Sequence, residues 1–434
     1  MTELKRNVST FGAASVGIAN IIGAGVFVLS GVAAGLAGPA VIVSFLVAGI
    51  IAMLTALSAA ELSSFITETG ASYAYTKRAF GRLWSFLVGW FKYFDYIVGA
   101  AAVSVGFAAY LTSVLGLSGA TPIIIAAVGL PIILCILNII GIREAAHVTS
   151  IMVLIKIFAI VALLMVGGFF LAQHFDIGHY TPFFATGLGG MLNGTAIIFF
   201  AFIGFNTVTM MSEEVKNPTK TIPRALMIAF VVTFVLYIGI AIVEVGVLDW
   251  KDTGNDAHPL ASIAKAVSDN QMFFEFISFS ALIATGSVVL SSIIGGTRAS
   301  FAMARDKLLP QKFDKVSKRF GTPYYSIIIG CIIIVIFAGV FYNNIDTIAS
   351  IVNFGSLFTY LFVNLSVIKL RKKEPNIERG FKVPLYPIVP IIGAAACIGM
   401  MYYLQDNAKI ISLVWGSIGL GIYFFIYRKK SKNS

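Results

Sequence analysis

The feature that most limits what this chain can become is a succession of apolar runs, with the charged residues held in the gaps between them. Each run is about twenty residues long, which as a helix matches a bilayer's ~30 Å hydrocarbon core. Unpaired backbone groups are not tolerated in lipid, so each run reads as a helix rather than an open strand. Glycine, proline and charged clusters divide the chain into twelve predicted spans. They run roughly 9–35, 39–66, 84–115, 121–141, 148–172, 189–212, 223–248, 272–304, 323–342, 347–369, 387–405 and 409–427. The expected fold class is an all-α polytopic membrane protein with twelve transmembrane helices.

Composition agrees. Of the 434 residues, 58% are hydrophobic and 12% charged, against about 25% charged in a soluble domain. The net charge of +11 could suggest a nucleic-acid partner, but the cations occupy short loops and read as topology signals. No nucleic acid is expected; the lipid bilayer is. Lys5 and Arg6, Lys77 to Arg82, Arg143, Lys216 to Arg224, Arg305 to Arg319, Lys369 to Lys382 and Arg428 to Lys432 fall on one side. Lys251, Lys265 and Lys409 fall on the other. That asymmetry places both termini in the cytoplasm of a multi-pass cell-membrane protein. The first apolar run continues past any cleavage point, so it reads as a retained span rather than a signal peptide.

No cofactor or metal is expected. Cys135, Cys331 and Cys397 lie inside apolar runs without metal-ligand spacing. His147, His174, His179 and His258 fall in loops or near helix ends and are expected to be solvated. No nucleophile–base spacing points to an enzyme. Glu244 and Glu275, near outer helix ends, are expected to face water. Glu61, Glu213 and Glu214, near inner ends, are expected to meet loop cations.

The first span carries "ANIIGAGVFVLSG" over residues 19–31. Glycine in a helix interior costs up to ~1 kcal/mol relative to alanine, yet Gly23 and Gly25 stand at the centre. Two readings are open: close packing against a neighbour, or a helix that unwinds there. Unwinding would free N–H groups at the start of the second half-helix, where the dipole attracts an anion such as a carboxylate. The sixth span, "NGTAIIFFAFIGFNTVTMMSEE", has a lone Gly204 followed by Asn206. Glycine-interrupted helices five spans apart point to an inverted-repeat transporter.

Two charges fall in mid-membrane. Lys156 lies ~13 Å along the fifth span from Val148, where lysine costs at least ~2.5–3.5 kcal/mol. Its three donors seek carbonyl or hydroxyl partners. The unwound first helix offers carbonyls, and Thr285 and Ser287 in the eighth span offer hydroxyls. Asp95 lies ~18 Å along the third span from Leu83. It has either a proton or substrate role, or a local pairing with Lys92 one turn away. Pro384, Pro387 and Pro390, spaced by three, would align on one polyproline II face and shape the approach to the eleventh span.

"GIANIIGAGVFVLSG", "GASYAYTKRAFG", "FFAFIGFNTVTMMSEEVKNPTKTIPRA", "AMARDKLLP" and "RGFKVPLYPIVP" together resemble the amino acid–polyamine–organocation superfamily over nearly the whole chain. The resemblance implies a five-plus-five inverted repeat with helices 1 and 6 broken. The transport core would cover residues 1–375, and 376–434 would hold two accessory helices. It implies that the N–H groups of Ala24 and Gly25 hold a substrate carboxylate and the carbonyls of Phe200, Ala201 and Ile203 its ammonium. Phe200 would cover the substrate, and Ile21 and Gly23 would line the pocket. Lys156 matches the fifth-helix lysine of proton-coupled members. Asp95 in "FDY" resembles a third-helix acid of cationic-transporter-like members. Asn206 departs from the acidic residue of a "GFD" pattern. The expected function is proton-coupled symport of neutral amino acids by alternating access. Amino acid or amine exchange is the alternative, and a non-transporting sensor a distant one.

Overall fold

The computed structural model describes residues 8–66, 70–141, 146–211, 215–254, 256–317 and 319–431. Glu213 and Glu214 lie outside them, as does the side chain of His147. Among the described residues the structure is helical, with one isolated bridge between Val8 and Val215. The helices are α1 (Thr10–Ile21), α2 (Ala24–Ala37), α3 (Val41–Ser63), α4 (Ser72–Phe80), α5 (Arg82–Val114), α6 (Ala120–Ile140), α7 (Ala146–Gln173) and α8 (Gly187–Ile198). They continue as α9 (Asn206–Met210), α10 (Pro218–Val247), α11 (Trp250–Thr253), α12 (Pro259–Val267), α13 (Gln271–Arg305), α14 (Tyr324–Val340), α15 (Ile345–Lys373), α16 (Ile388–Tyr402) and α17 (Asp406–Ser431). Among the described residues, nine candidate spans are long and apolar enough to cross a membrane, and three shorter apolar helices, α1, α14 and α16, accompany them.

Local chemistry sets the ends. The Ser9 hydroxyl accepts from the Gly12 N–H at 3.1 Å to start α1, and the Asn270 side chain accepts from Met272 N–H at 2.9 Å to start α13. Gly141 closes α6 in the left-handed conformation. Arg371, Lys372 and Lys373 end α15, where cations complement the helix dipole.

Helix α5 is the centre of the bundle, packed most extensively on α13 and α15. At the periphery, Ile125, Ile133, Leu154, Phe158, Met165 and Phe169 are exposed. So much exposed apolar surface suits a lipid-facing wall and not a water-facing one.

Several local features differ from the expectation. The segment Ser72–Phe80 is a helix that hydropathy does not reveal, because its sequence is polar. The proline-rich stretch is a turn, not a polyproline II face: Leu385 has φ +49°, and Pro390 already belongs to α16. Glu244 does not face water but is buried at 1% exposure, whereas Glu275 is exposed. His258 is half-buried in an ion pair and His179 is half-buried with its Nδ1 covered, while His174 is exposed as expected.

Candidate functional site

Two helices are interrupted at one place. The first stops at Ile21 and restarts at Ala24, with Ile22 extended at ψ 94°. In the sixth span, α8 gives way to a 3₁₀ segment over Phe199–Phe205 before α9. The glycines explain the pairing. A Cβ on Gly25 would fall 2.2 Å from the Cα of Ala201, and one on Gly204 would fall 2.2 Å from the carbonyl oxygen of Asn20. Both readings of the glycine motif therefore hold: the helix breaks, and the break is packed backbone to backbone.

A break frees carbonyls that no longer meet an N–H one turn ahead. Buried side chains from other helices reach them. Lys156 of α7, 1% exposed, donates to the Ala19 carbonyl at 3.1 Å. The Tyr237 hydroxyl of α10 donates to the Ile21 carbonyl at 2.7 Å and lies 3.4 Å from that of Ala201. The Tyr360 hydroxyl of α15 donates to the Ile203 carbonyl at 3.0 Å while accepting from the Asn206 amide at 2.9 Å. Asn353 donates to the carbonyls of Ala196 and Ile197 at 2.6 and 3.1 Å. On the free N–H side, the first turn of α2 begins at Ala24 and Gly25, whose amides have no intrahelical acceptor.

A cavity of about 240 Å³ adjoins the breaks. That is below the ~300–1,000 Å³ typical of drug-sized ligands and fits a small solute. Asn20, Phe200, Ile203, Gly204, Asn206 and Thr207 form one side. Opposite are Lys92, Asp95, Tyr96, Gly99 and Val103, one face of α5 at helical spacing, and Val288, Ser291, Ser292, Gly295 and Arg298 of α13. Of the expected site residues, Phe200, Ile203 and Asp95 line this cavity. Ile21, Gly23, Gly25, Ala201 and Lys156 are buried around the breaks instead. Thr285 donates to the carbonyls of Ala281 and Leu282, and Ser287 to that of Ala284, all within α13.

Asp95 takes the local pairing that the spacing allows. Its carboxylate meets the Lys92 ammonium and accepts from the Ser356 hydroxyl at 2.7 Å. Lys92 also sits 4.8 Å from the centre of the Tyr96 ring. At the basic end, Glu61 accepts from Arg371 at 2.8 and 2.6 Å and from the Val383 N–H at 2.7 Å, and Arg379 lies 3.3 Å away. Glu61 thus meets its expected cations, and it seats the "RGFKVPLYPIVP" segment against α3.

At the opposite end, His258 lies 2.8 Å from Asp256. The hydrogen bond to Asp256 raises the imidazole above its ordinary value, against burial. Burial would raise the Asp256 carboxyl, but the hydrogen bond and charge of His258 outweigh it and hold that carboxyl low.

Sequence reasoning located the two breaks and Lys156. It missed Tyr237, Tyr360 and Asn353. Tyr237 stands in a largely apolar stretch of α10, whereas Asn353 and Tyr360 belong to a row of polar residues along α15 with Ser350, Ser356 and Asn364, and that row was the available signal.

A family model described as amino acid permease matches residues 8–426. The branched-chain amino acid permease BcaP of Bacillus subtilis (strain 168) is 32% identical over 455 residues, covering 99% of this chain and 95% of that protein. The methylthioribose transporter of the same organism is 36% identical over 445 residues, with 99% and 95% covered. The vacuolar cationic amino acid transporter 4 of Arabidopsis thaliana is 32% identical over 391 residues, covering 86% of this chain and 64% of that protein.

Proposed function

The chain belongs to the amino acid permease family, and from that premise we propose that it carries neutral amino acids across the cell membrane by proton-coupled alternating access. The observation that carries this reading is the convergence of two broken helices, with Lys156 on the Ala19 carbonyl beside them. Twelve spans in a five-plus-five inverted repeat, a core over 1–375, accessory helices over 376–434 and both termini in the cytoplasm complete the proposed architecture.

The substrate carboxylate takes the amides of Ala24 and Gly25 at the positive end of α2. Its ammonium takes carbonyl lone pairs of Phe200, Ala201 and Ile203. Each carbonyl has two lone pairs, so the contacts of Tyr237 and Tyr360 leave one for the substrate. Phe200 and Ile203, which line the cavity, offer it an apolar wall, which suits a branched side chain like the one named for BcaP.

Lys156 is the coupling group. A charge-assisted hydrogen bond is roughly twice as strong as a neutral one, so the ammonium ties α7 to the broken end of α1 more firmly than the amine. Loading and losing that proton then biases the position of α1. Asp95, paired with Lys92, is the second candidate for proton coupling. One net charge moving through 100 mV supplies ~2.3 kcal/mol, close to a fifty-fold concentration ratio.

The test is leucine uptake into proteoliposomes with an inward proton gradient on or off, for wild type and Lys156→Ala. Gradient-driven accumulation lost in the variant is the expected result. Uptake that needs only internal amino acid and ignores pH means exchange, with Lys156 a brace.

A second reading is favoured by the 36% identity to the methylthioribose transporter and by the amides and hydroxyls of Asn20, Thr207, Ser291 and Ser292 along the cavity. A neutral sugar thioether would use those groups and neither helix end. Competition of leucine uptake by methylthioribose separates the two.

A further inference from the structure

Glu244 stands seven residues beyond Tyr237 on α10, near the end of that helix that leads into α11. It is 1% exposed, and neither carboxyl oxygen has a hydrogen-bond partner among the described residues. Three elements close around it. Helix α2 brings the buried hydroxyl of Ser30 alongside. The segment before α12 brings Asp256 close enough for the two carboxyls to oppose each other. Helix α5 brings the buried phenol of Tyr110, which donates to the Phe27 carbonyl of α2 and lies within electrostatic reach of both acids. The charged groups around Glu244 are therefore Asp256 and its partner His258. No lysine or arginine acts on it among the described residues.

The covering elements are locked together by their backbones. A Cβ on Gly35 of α2 would lie 2.3 Å from the Cα of Gly254, and one on Gly31 would lie 2.9 Å from the Thr253 carbonyl oxygen. The α11–α12 segment thus rests directly on α2, next to the buried Glu244.

An ionised carboxylate enclosed here would lose its hydration and could gain no donor beyond the single Ser30 hydroxyl. It would also face a second carboxylate that His258 keeps charged. The neutral acid meets neither penalty. We propose that Glu244 is a proton-binding site that loads when α2 and the α11–α12 segment close over it and empties when they part. Closing takes one proton from the adjoining solution onto a carboxyl oxygen, and opening returns it. The inference rests on the transport reading only in taking these elements to seal the outer end of the pathway. Since one proton is bound per closure, the ratio of open to closed forms rises up to tenfold per pH unit once Glu244 ionises in the open form.

Hydrogen–deuterium exchange of the full chain in nanodiscs, read by mass spectrometry over residues 26–35 and 250–267 at pH 6 and pH 8 with intrinsic rates corrected, tests this without substrate. In wild type both segments should exchange faster at pH 8, by several-fold beyond the intrinsic change. Glu244→Gln and Glu244→Leu, two independent mimics of the neutral acid, should be equally protected at both values. His258→Gln, which weakens only the smaller of the two penalties, should keep most of the wild-type difference. A pH difference that survives in both Glu244 variants, or that disappears in His258→Gln, overturns the proposal. So does a wild type indifferent to pH. The exchange result stands whether or not wild type moves leucine, so its failure is distinguishable from failure of the transport reading.

Discussion

Gly25 of α2 and Ala201 of the 3₁₀ segment are in backbone contact: a methyl on Gly25 would stand 2.2 Å from the Ala201 Cα and 2.8 Å from its nitrogen. Backbone cannot swing aside as a side chain can. Gly25→Ala should therefore push the two broken helices apart, at an overpacking cost of about 1–3 kcal/mol, and abolish leucine counterflow. Gly168, also inside a helix, has open space where its Cβ would lie. Gly168→Ala should keep counterflow near wild type. Equal loss in both variants would show that helix propensity, not the contact, governs the first position.

Tyr237 ties both breaks with one hydroxyl, at 2.7 Å from the Ile21 carbonyl and 3.4 Å from that of Ala201. The ring is fully buried, so Tyr237→Phe removes the donor and little packing. An orphaned buried carbonyl costs about 1–3 kcal/mol. The variant should lower the unfolding temperature in detergent and slow counterflow at saturating leucine. Unchanged values of both would mean that the hydroxyl is incidental.

The breaks were legible because glycine in an apolar helix violates local propensity, and such violations gather where function or close approach demands them. Lys156 was legible for the same reason, as a charge placed where lipid penalises it. What stabilises the breaks was not legible. Tyr237, Tyr360 and Asn353 come from α10 and α15, and only the packing of those helices decides which of their polar residues meets a carbonyl of the breaks. Glu244 shows the limit from the other side. Its position near a helix end suggested water, but α11 and α12, which pack on α2, are too short to stand out in a hydropathy profile.

At the basic end, Glu61 joins α3 to α15 and to the segment leading into α16. Its carboxylate is 1% exposed and receives two bonds from Arg371 and one from the Val383 N–H. Removing one partner of a buried ion pair costs about 3–5 kcal/mol. Glu61→Gln should free the 374–387 segment and accelerate tryptic cleavage after Arg379 and Lys382. Arg371→Lys should not substitute fully, because a lysine cannot make the paired contact. Cleavage rates equal to wild type in Glu61→Gln would show that the segment is held by Arg371 stacking on Tyr386, 4.0 Å away, rather than by the acid.

The Asp256–His258 pair gives stability a defined pH window. His258 is raised in the folded state, so its contribution is complete below the unfolded histidine value of about 6.5 and is lost as pH rises through its folded value. Asp256 is lowered, so its contribution is present above about 3.9 and is lost as pH falls through its folded value. The pair therefore acts between those limits. The imidazole side chain is 36% exposed, and solvent screening keeps the pair near the ~0–1 kcal/mol of surface ion pairs. About 1 kcal/mol moves a 150–250-residue domain by ~2–4 °C and a longer chain by less. His258→Gln should thus lower the unfolding temperature by a degree or two at pH 6, and the difference from wild type should shrink toward zero by pH 9. A deficit that stays constant across that range would assign the loss to packing of the ring against Tyr110, 6.1 Å between centres, and not to charge.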